Sequence, residues 1–401
     1  MLYQESCWFK FAASKALLMR LNEAHAPRGS SGKFITIYAE DEAGVLRLAE
    51  TCDRATHGLC GPRILSDRAY REGSVVSYRY GAFSPEEIFT PEGSLLNVIR
   101  DPQGRPVPDT RGGWFTPPVW AEDPFVKAGK LAPAVDLAGV KTVLLHERYR
   151  ISGALRHANK GGVYRALDEQ TGDTVVVKEA RAHVDIDRNN EDARDRLRIE
   201  AENLRLLEGS GVAPGLREVF SKGDHLFLVL DQVPGGSLRR FVQDRRSSSR
   251  RPLPGAEIDA LIGKCAALVE ACHQAGMLIV DFNPNNVMLL PDGDLRLIDL
   301  EMACAIGAER PAAGGTPAYS SPEQLRGELP QRSDDHFALG AVAFFIASLY
   351  DPFVLPDRPR QRSELSRLAA WLAVLGREGI VESHIRELVL GCLAEDPAAR
   401  W

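Results

Sequence analysis

One heptad and a second aspartate leave this chain few folds to adopt. The heptad is Val280-Asp281-Phe282-Asn283-Pro284-Asn285-Asn286, and Ile298-Asp299-Leu300-Glu301 follows after a short apolar interval. An aspartate, an asparagine five residues on and a second aspartate beyond a strand form the spacing that phosphoryl transfer requires. Asp281 would accept a hydroxyl proton, while Asn286 and Asp299 would hold Mg²⁺ ions that bridge phosphates. Val287–Leu290 and Leu295–Ile298, joined through Pro291-Asp292-Gly293-Asp294, read as a β-hairpin with an Asp-Gly turn, which would set Asn286 beside Asp299.

The rest of the composition narrows the setting. At 401 residues the chain can hold two or three domains, each with its own core. A net charge of −6 argues against nonspecific nucleic-acid binding. The seven cysteines are scattered without a Cys-x-x-Cys pair, as in a reduced compartment. The N-terminus lacks a signal-peptide pattern, and the longest apolar run, Ala341 to Leu349, is too short to cross a bilayer. The expectation is a soluble cytoplasmic protein without membrane or nucleic-acid partners.

Along the chain, residues 33–38 and 74–80 are strand candidates, and Glu42 to Ala55 has apolar residues at helical spacing. Proline and glycine accumulate from Asp101 to Pro118, which marks a loop or linker. The domain boundary falls near 120–146. Beyond it come strands at 161–166, 174–179 and 226–230, and a charged helix at about 192–207. Later helices are expected at 257–274, 334–349, 363–375 and 381–393. The run Arg245-Arg246-Ser247-Ser248-Ser249-Arg250-Arg251 reads as an exposed loop.

Lys178 closes a Val-Val-Val strand, and Glu200 sits on the next helix. Alone, each is most simply a surface charge. In order with Asp281, Asn286 and Asp299, they resemble the eukaryotic-type protein kinases over about 147–401. Ser321-Pro322-Glu323, Asp335-His336-Phe337-Ala338-Leu339-Gly340 and Asp396-Pro397-Ala398-Ala399-Arg400 extend the resemblance. It implies a bilobal fold that binds ATP or another nucleoside triphosphate. Gly161, Gly162, Val163, Lys178, Glu200, Asp231, Val233 and Asn283 would line the nucleotide site, and Glu323 and Arg400 would form a structural salt bridge.

Several positions depart from the kinase pattern. Arg156 and Ala158 stand where the phosphate-covering loop usually has glycines, and only Gly161 with Val163 matches its end. Ile279-Val280 replaces His-Arg before Asp281, Asn283 replaces a lysine, and Glu301 replaces the glycine after Asp-Leu. Without that arginine, a phosphorylated activation loop has no docking group, so the expectation is an active but unregulated kinase.

The first domain adds a second resemblance. Gly32-Lys33-Phe34-Ile35-Thr36-Ile37-Tyr38, the segment Gly61 to Arg68 and Val76-Ser77-Tyr78-Arg79-Tyr80 look like the N-terminal domain of class III lanthipeptide synthetases. So does the junction around Pro118-Val119-Trp120 and Asp123-Pro124-Phe125. The resemblance implies an α+β protein of two domains: a phosphoserine/phosphothreonine lyase-like domain at 1–125, a linker at 126–146, and kinase lobes at 147–232 and 233–401. It also implies a ribosomal precursor peptide with a leader as partner, and a C-terminal cyclase in the full-length protein. Eliminating phosphate needs a base for a weakly acidic α-proton and cations for the carbonyl and the departing phosphate. Lys33 is the candidate base or enolate stabiliser, Arg68 and Arg79 are candidate phosphate ligands, and Tyr80 or Tyr78 is a candidate proton donor. Alternation of Arg and Tyr on a solvated strand face is the competing reading. His25 and His57, the histidines before residue 146, lie in no recognisable lyase motif. A signalling Ser/Thr kinase with a regulatory or docking domain, and a nucleotide-binding scaffold without turnover, are the rival functions.

Overall fold

The computed structural model describes residues 5, 7–29, 31–84, 86–109, 114–134, 143–187, 189–249, 253–311, 314–352, 364–377 and 381–400. It is an α+β protein. Its chain divides into two compact units: residues 1–173, 177–194 and 220–227 form one, and 174–176, 195–219 and 228–401 the other.

The first unit opens with strand Trp8–Phe11, paired antiparallel with Ile35–Tyr38. Between them lies the helix Lys15–Asn22, capped by Ser14. The helix Glu42–Ala55 spans the whole apolar-periodic stretch; Asp41 caps it by accepting from the Gly44 N–H, and Leu48, Ala49 and Cys52 point inward. The strand expected over 74–80 shrinks to Ser77–Tyr78, which pairs with Arg68–Ala69. The Pro/Gly-rich 101–118 segment is not all loop. Pro106–Pro108 forms an edge strand beside Leu95–Arg100, an edge being where a proline costs no ladder hydrogen bond. Residues 110–113 lie outside the described residues. Asp123 and Pro124 start a one-turn helix, Pro124–Lys127, whose Phe125 is fully buried against Tyr70 and Tyr78.

The six-stranded sheet runs in the order Leu216–Lys222, His225–Asp231, Thr174–Ala180, Gly161–Asp168, Tyr149–Ala158, Leu144–Leu145. Within the second unit, the helix Arg332–Ser348 is apolar nearly all round and buried along most of its length, as a central core helix must be. Gly340 lets helix Ser383–Cys392 approach it, since a Cβ there would stand 2.5 Å from that of Cys392. The Ser/Arg run is helical, not looped, as far as Ser249: it closes the helix Leu238–Ser249, and Arg250 and Arg251 lie outside the described residues. Glu323 and Arg400 pair at 2.8 Å, with Arg400 buried. Among the described residues no helix is long and apolar enough to cross a membrane.

Candidate active site

The hairpin forms as its Asp-Gly turn dictates: Val287–Leu289 pairs with Leu295–Leu297, and the Ile298 N–H donates to the Asn286 carbonyl. Asn286 and Asp299 are thereby carried on adjacent strand ends. The Asn286 amide nitrogen donates to the Asp281 carboxylate at 3.0 Å and to its carbonyl at 3.1 Å. The other carboxylate oxygen of Asp281 accepts from the Thr316 N–H at 2.8 Å. Asn283 donates to the Asp281 carbonyl and to the Thr316 hydroxyl, both at 3.2 Å, so it braces the loop from inside and is itself 1% exposed. The result is a carboxylate fixed in orientation by two donors.

The loop's backbone is held by Asp335, a residue of the helix Arg332–Ser348. Val280 has φ of +68°, a left-handed conformation that a β-branched residue avoids. Buried Asp335 stabilises it, accepting from the N–H groups of Ile279 and Val280 at 2.9 and 2.8 Å and contacting His273 Nε2 at 2.8 Å. Gln324 donates to the Val280 carbonyl. Ile279 and Val280, in place of His-Arg, are buried apolar side chains. Arg239 adds a brace: its N–H donates to the Pro284 carbonyl, and its guanidinium engages Asp351 and Tyr319.

Lys178 lies on strand Thr174–Ala180, and Glu200 on helix Ala193–Leu206, where it is 1% exposed and therefore not on a solvated face. Gly161, at φ of +155°, admits no side chain: a Cβ would stand 1.7 Å from the Glu179 carbonyl oxygen. Gly162 is equally constrained by the Tyr164 ring, and Val163 follows on the same strand. Glu179 accepts from the Tyr164 hydroxyl and contacts His225 Nδ1; burial alone would raise its pKa, but these hydrogen bonds outweigh it and hold the pKa below the usual value. The Asp231 N–H donates to the Gly215 carbonyl and its carboxylate accepts from Arg217, while Val233 is buried.

In the first domain each candidate cation has a carboxylate. Lys33 Nζ lies 3.2 Å from Asp67, which also accepts from Ser66. Arg68 donates to Asp123 at 2.8 Å and to the Ala132 carbonyl; the Tyr78 hydroxyl donates to the same Asp123. Burial and this carboxylate push the Tyr78 pKa up, so its hydroxyl stays protonated and is a weaker acid than a free tyrosine. Arg79 pairs with Asp109, and Tyr80 is half exposed. Lys33 thus sits in one cluster with Asp67, and Arg68 and Tyr78 share a second one at Asp123. Asp123 had a signal in the sequence, an aspartate before a helix-starting proline, but that signal says cap, not ion pair.

Residues 150–401 match the family model described as the protein kinase domain. The chain belongs to the protein kinase family. In front of the kinase domain, residues 1–136 match the RamC N-terminal domain. Together they make the domain pair of the class III lanthipeptide synthetases, the family the sequence resembles. The kinase chain is similar to the probable SapB synthase of Streptomyces coelicolor, at 33% identity over 81% of this chain and 35% of that protein. It is also similar to the serine/threonine-protein kinase PknL of Mycobacterium bovis, at 27% identity over 69% of this chain and 66% of that protein. It therefore spans about a third of the first relative's length.

The kinase site's donors suit Mg²⁺ brought by a nucleotide. Such an ion takes one or two protein oxygens and fills its octahedron with phosphate and water. Among the described residues no cluster of three or more His, Cys, Asp or Glu forms a cage. Asn286 spends its amide nitrogen on Asp281, so its oxygen is the atom that could, with the Asp299 carboxylate, hold a cation.

Proposed function

We propose that this chain dehydrates serine and threonine in a ribosomal precursor peptide in two steps. In the first, the kinase domain moves the γ-phosphoryl group of a nucleoside triphosphate onto a side-chain hydroxyl, with Asp281 accepting the hydroxyl proton. Asn286 and Asp299 would hold Mg²⁺, which would supply charge neutralisation at the phosphates. Lys178 positions the α/β-phosphates, and Glu200 stands where the kinase pattern has the helix glutamate. In the second, the N-terminal domain removes the α-proton, with Lys33 as base or enolate stabiliser. The electron pair forms the Cα=Cβ bond as the Cβ–O bond breaks, and inorganic phosphate leaves between Arg68 and Arg79. Tyr80 or Tyr78 protonates the leaving oxygen; Tyr80 is exposed, and the half-buried Tyr78 hydroxyl donates to Asp123. Dehydroalanine or dehydrobutyrine remains.

The observation that carries this reading is the pair of donors fixing Asp281, Thr316 N–H and Asn286 Nδ2, in a chain whose other domain is of the RamC type. Buried Ile279 and Val280 support constitutive turnover, because no basic side chain stands there to receive a phosphorylated loop. The test is mass spectrometry of a Ser/Thr- and Cys-bearing peptide encoded beside the gene, incubated with the chain, ATP and Mg²⁺. Phosphate gain followed by net loss of water is expected; phosphate that stays on defeats the lyase half and leaves a plain protein kinase.

A further inference from the structure

The phosphate-covering hairpin of this chain keeps Gly161 but lacks the two earlier glycines that normally shape it, and its tip is held from outside. The turn Asn159-Lys160 joins strands Tyr149–Ala158 and Gly161–Asp168. Asn159 is 1% exposed. Its N–H donates to the Ala24 carbonyl at 2.8 Å, and its amide nitrogen donates to the carbonyls of Asn22 and Glu23 at 3.1 and 3.0 Å. All three acceptors belong to the N-terminal domain, just past its first helix.

A second layer locks the same tip. Arg181, also 1% exposed, donates to both the carbonyl and the side-chain oxygen of Asn159 at 2.8 Å and to the Arg63 carbonyl at 2.5 Å. The Arg181 N–H donates to the Lys160 carbonyl. Asp185, at φ of +57°, exchanges two bonds with the N-terminal turn: it accepts from the Ala24 N–H and donates its own N–H to the Asn22 carbonyl. The Asn22 side-chain oxygen in turn accepts from the Gly32 N–H at 2.8 Å and from Ser31, next to Lys33.

Glycines let a loop close over phosphates through backbone freedom. A loop with Arg156 and Ala158 at those positions needs its shape imposed. We propose that the N-terminal turn Asn22–Ala24, acting through the positioning residues Asn159, Arg181 and Asp185, presets the phosphate-covering loop, so the RamC-type domain is a structural part of the kinase's nucleotide site. This rests on the nucleotide-binding reading of the kinase domain. Preorganisation lowers the ordering cost of binding, and the benefit goes to the phosphate-bearing end of the ligand alone.

The test is calorimetric titration of the full chain with Mg-ATP and, separately, adenosine. Asn159→Ala, which removes three side-chain hydrogen bonds, and Asp185→Ala, which removes the one from Ala24, should each weaken Mg-ATP at least about tenfold and leave adenosine binding unchanged. Asp185→Asn keeps an oxygen facing Ala24 and tolerates the left-handed conformation, so it should restore parental Mg-ATP affinity. Unchanged Mg-ATP affinity in both alanine variants overturns the proposal, as does an equal loss for ATP and adenosine, which would mean general loosening of the lobe. A parental chain that binds neither ligand overturns the nucleotide reading itself, a result distinguishable from the other two.

Discussion

Asp335 is the residue whose removal should cost most for its size. It is 1% exposed and accepts from two backbone N–H groups while contacting His273. Asp335→Ala strands both N–H groups in a dry interior, at about 1–3 kcal/mol each. The contacts it loses also hold Val280 in a conformation that costs about 1–3 kcal/mol, so the loop relaxes and recovers part of that strain. A net loss of about 3–4 kcal/mol follows, which for a kinase-sized domain is a fall in melting temperature of about 6–16 °C. Relaxation at Val280 moves Asp281, its neighbour, and displacement by about an ångström lowers turnover about a hundredfold. Thermal melts and a peptide phosphorylation assay below the variant's melting temperature measure the two effects separately. A variant that melts within about 2 °C of the parent, or keeps half its rate, would refute the claim that Asp335 holds the catalytic loop.

Three further outcomes follow from the same contacts. Gly161→Ala drives a Cβ into the Glu179 carbonyl, so Mg-ATP binding should be lost and the melting temperature should drop by several degrees; normal binding in a calorimeter would contradict this. With a synthetic phosphoserine peptide as substrate, Lys33→Ala and Arg68→Ala should abolish phosphate release, while Asp281→Asn should leave it intact and stop only phosphorylation. The paired hydrogen bonds from Arg148 hold Asp168 well below the usual carboxylate range. Because its folded pKa is depressed, its contribution is complete above the unfolded value of about 4 and disappears as pH falls further. Asp168→Asn should therefore be less stable at neutral pH and lose less on acidification below about pH 4 than the parent.

What the sequence revealed was what lies close along it. Asp281, Asn286 and Asp299 are set by one loop and one hairpin, and the Asp-Gly turn announces that hairpin. The helix Glu42–Ala55 is announced by its periodicity and its Asp41 cap. The contacts that turn these residues into a site span long intervals: Asp335 reaches back 55 residues to Val280, and Thr316 reaches 35 to Asp281. No local pattern encodes them. The left-handed Val280 contradicts its own side-chain preference and exists because Asp335 compensates it. Likewise, Arg245–Ser249 has loop-like composition, yet it continues a helix whose earlier residues Leu238 and Val242 are fully buried. The N-terminal cations were legible as residue types, but Asp67, Asp109 and Asp123, which fix where those cations sit, were not.

A chain that both makes and destroys a phosphate ester must show both events on one peptide. A time course of intact-peptide mass, with the gene-neighbour precursor, Mg-ATP and the parental chain, tests it most directly. The expected course is a phosphopeptide that rises and then decays into a peptide lighter than the substrate by one water per modified residue. A phosphopeptide that accumulates to completion without loss of water, or a peptide whose mass never changes, would contradict it.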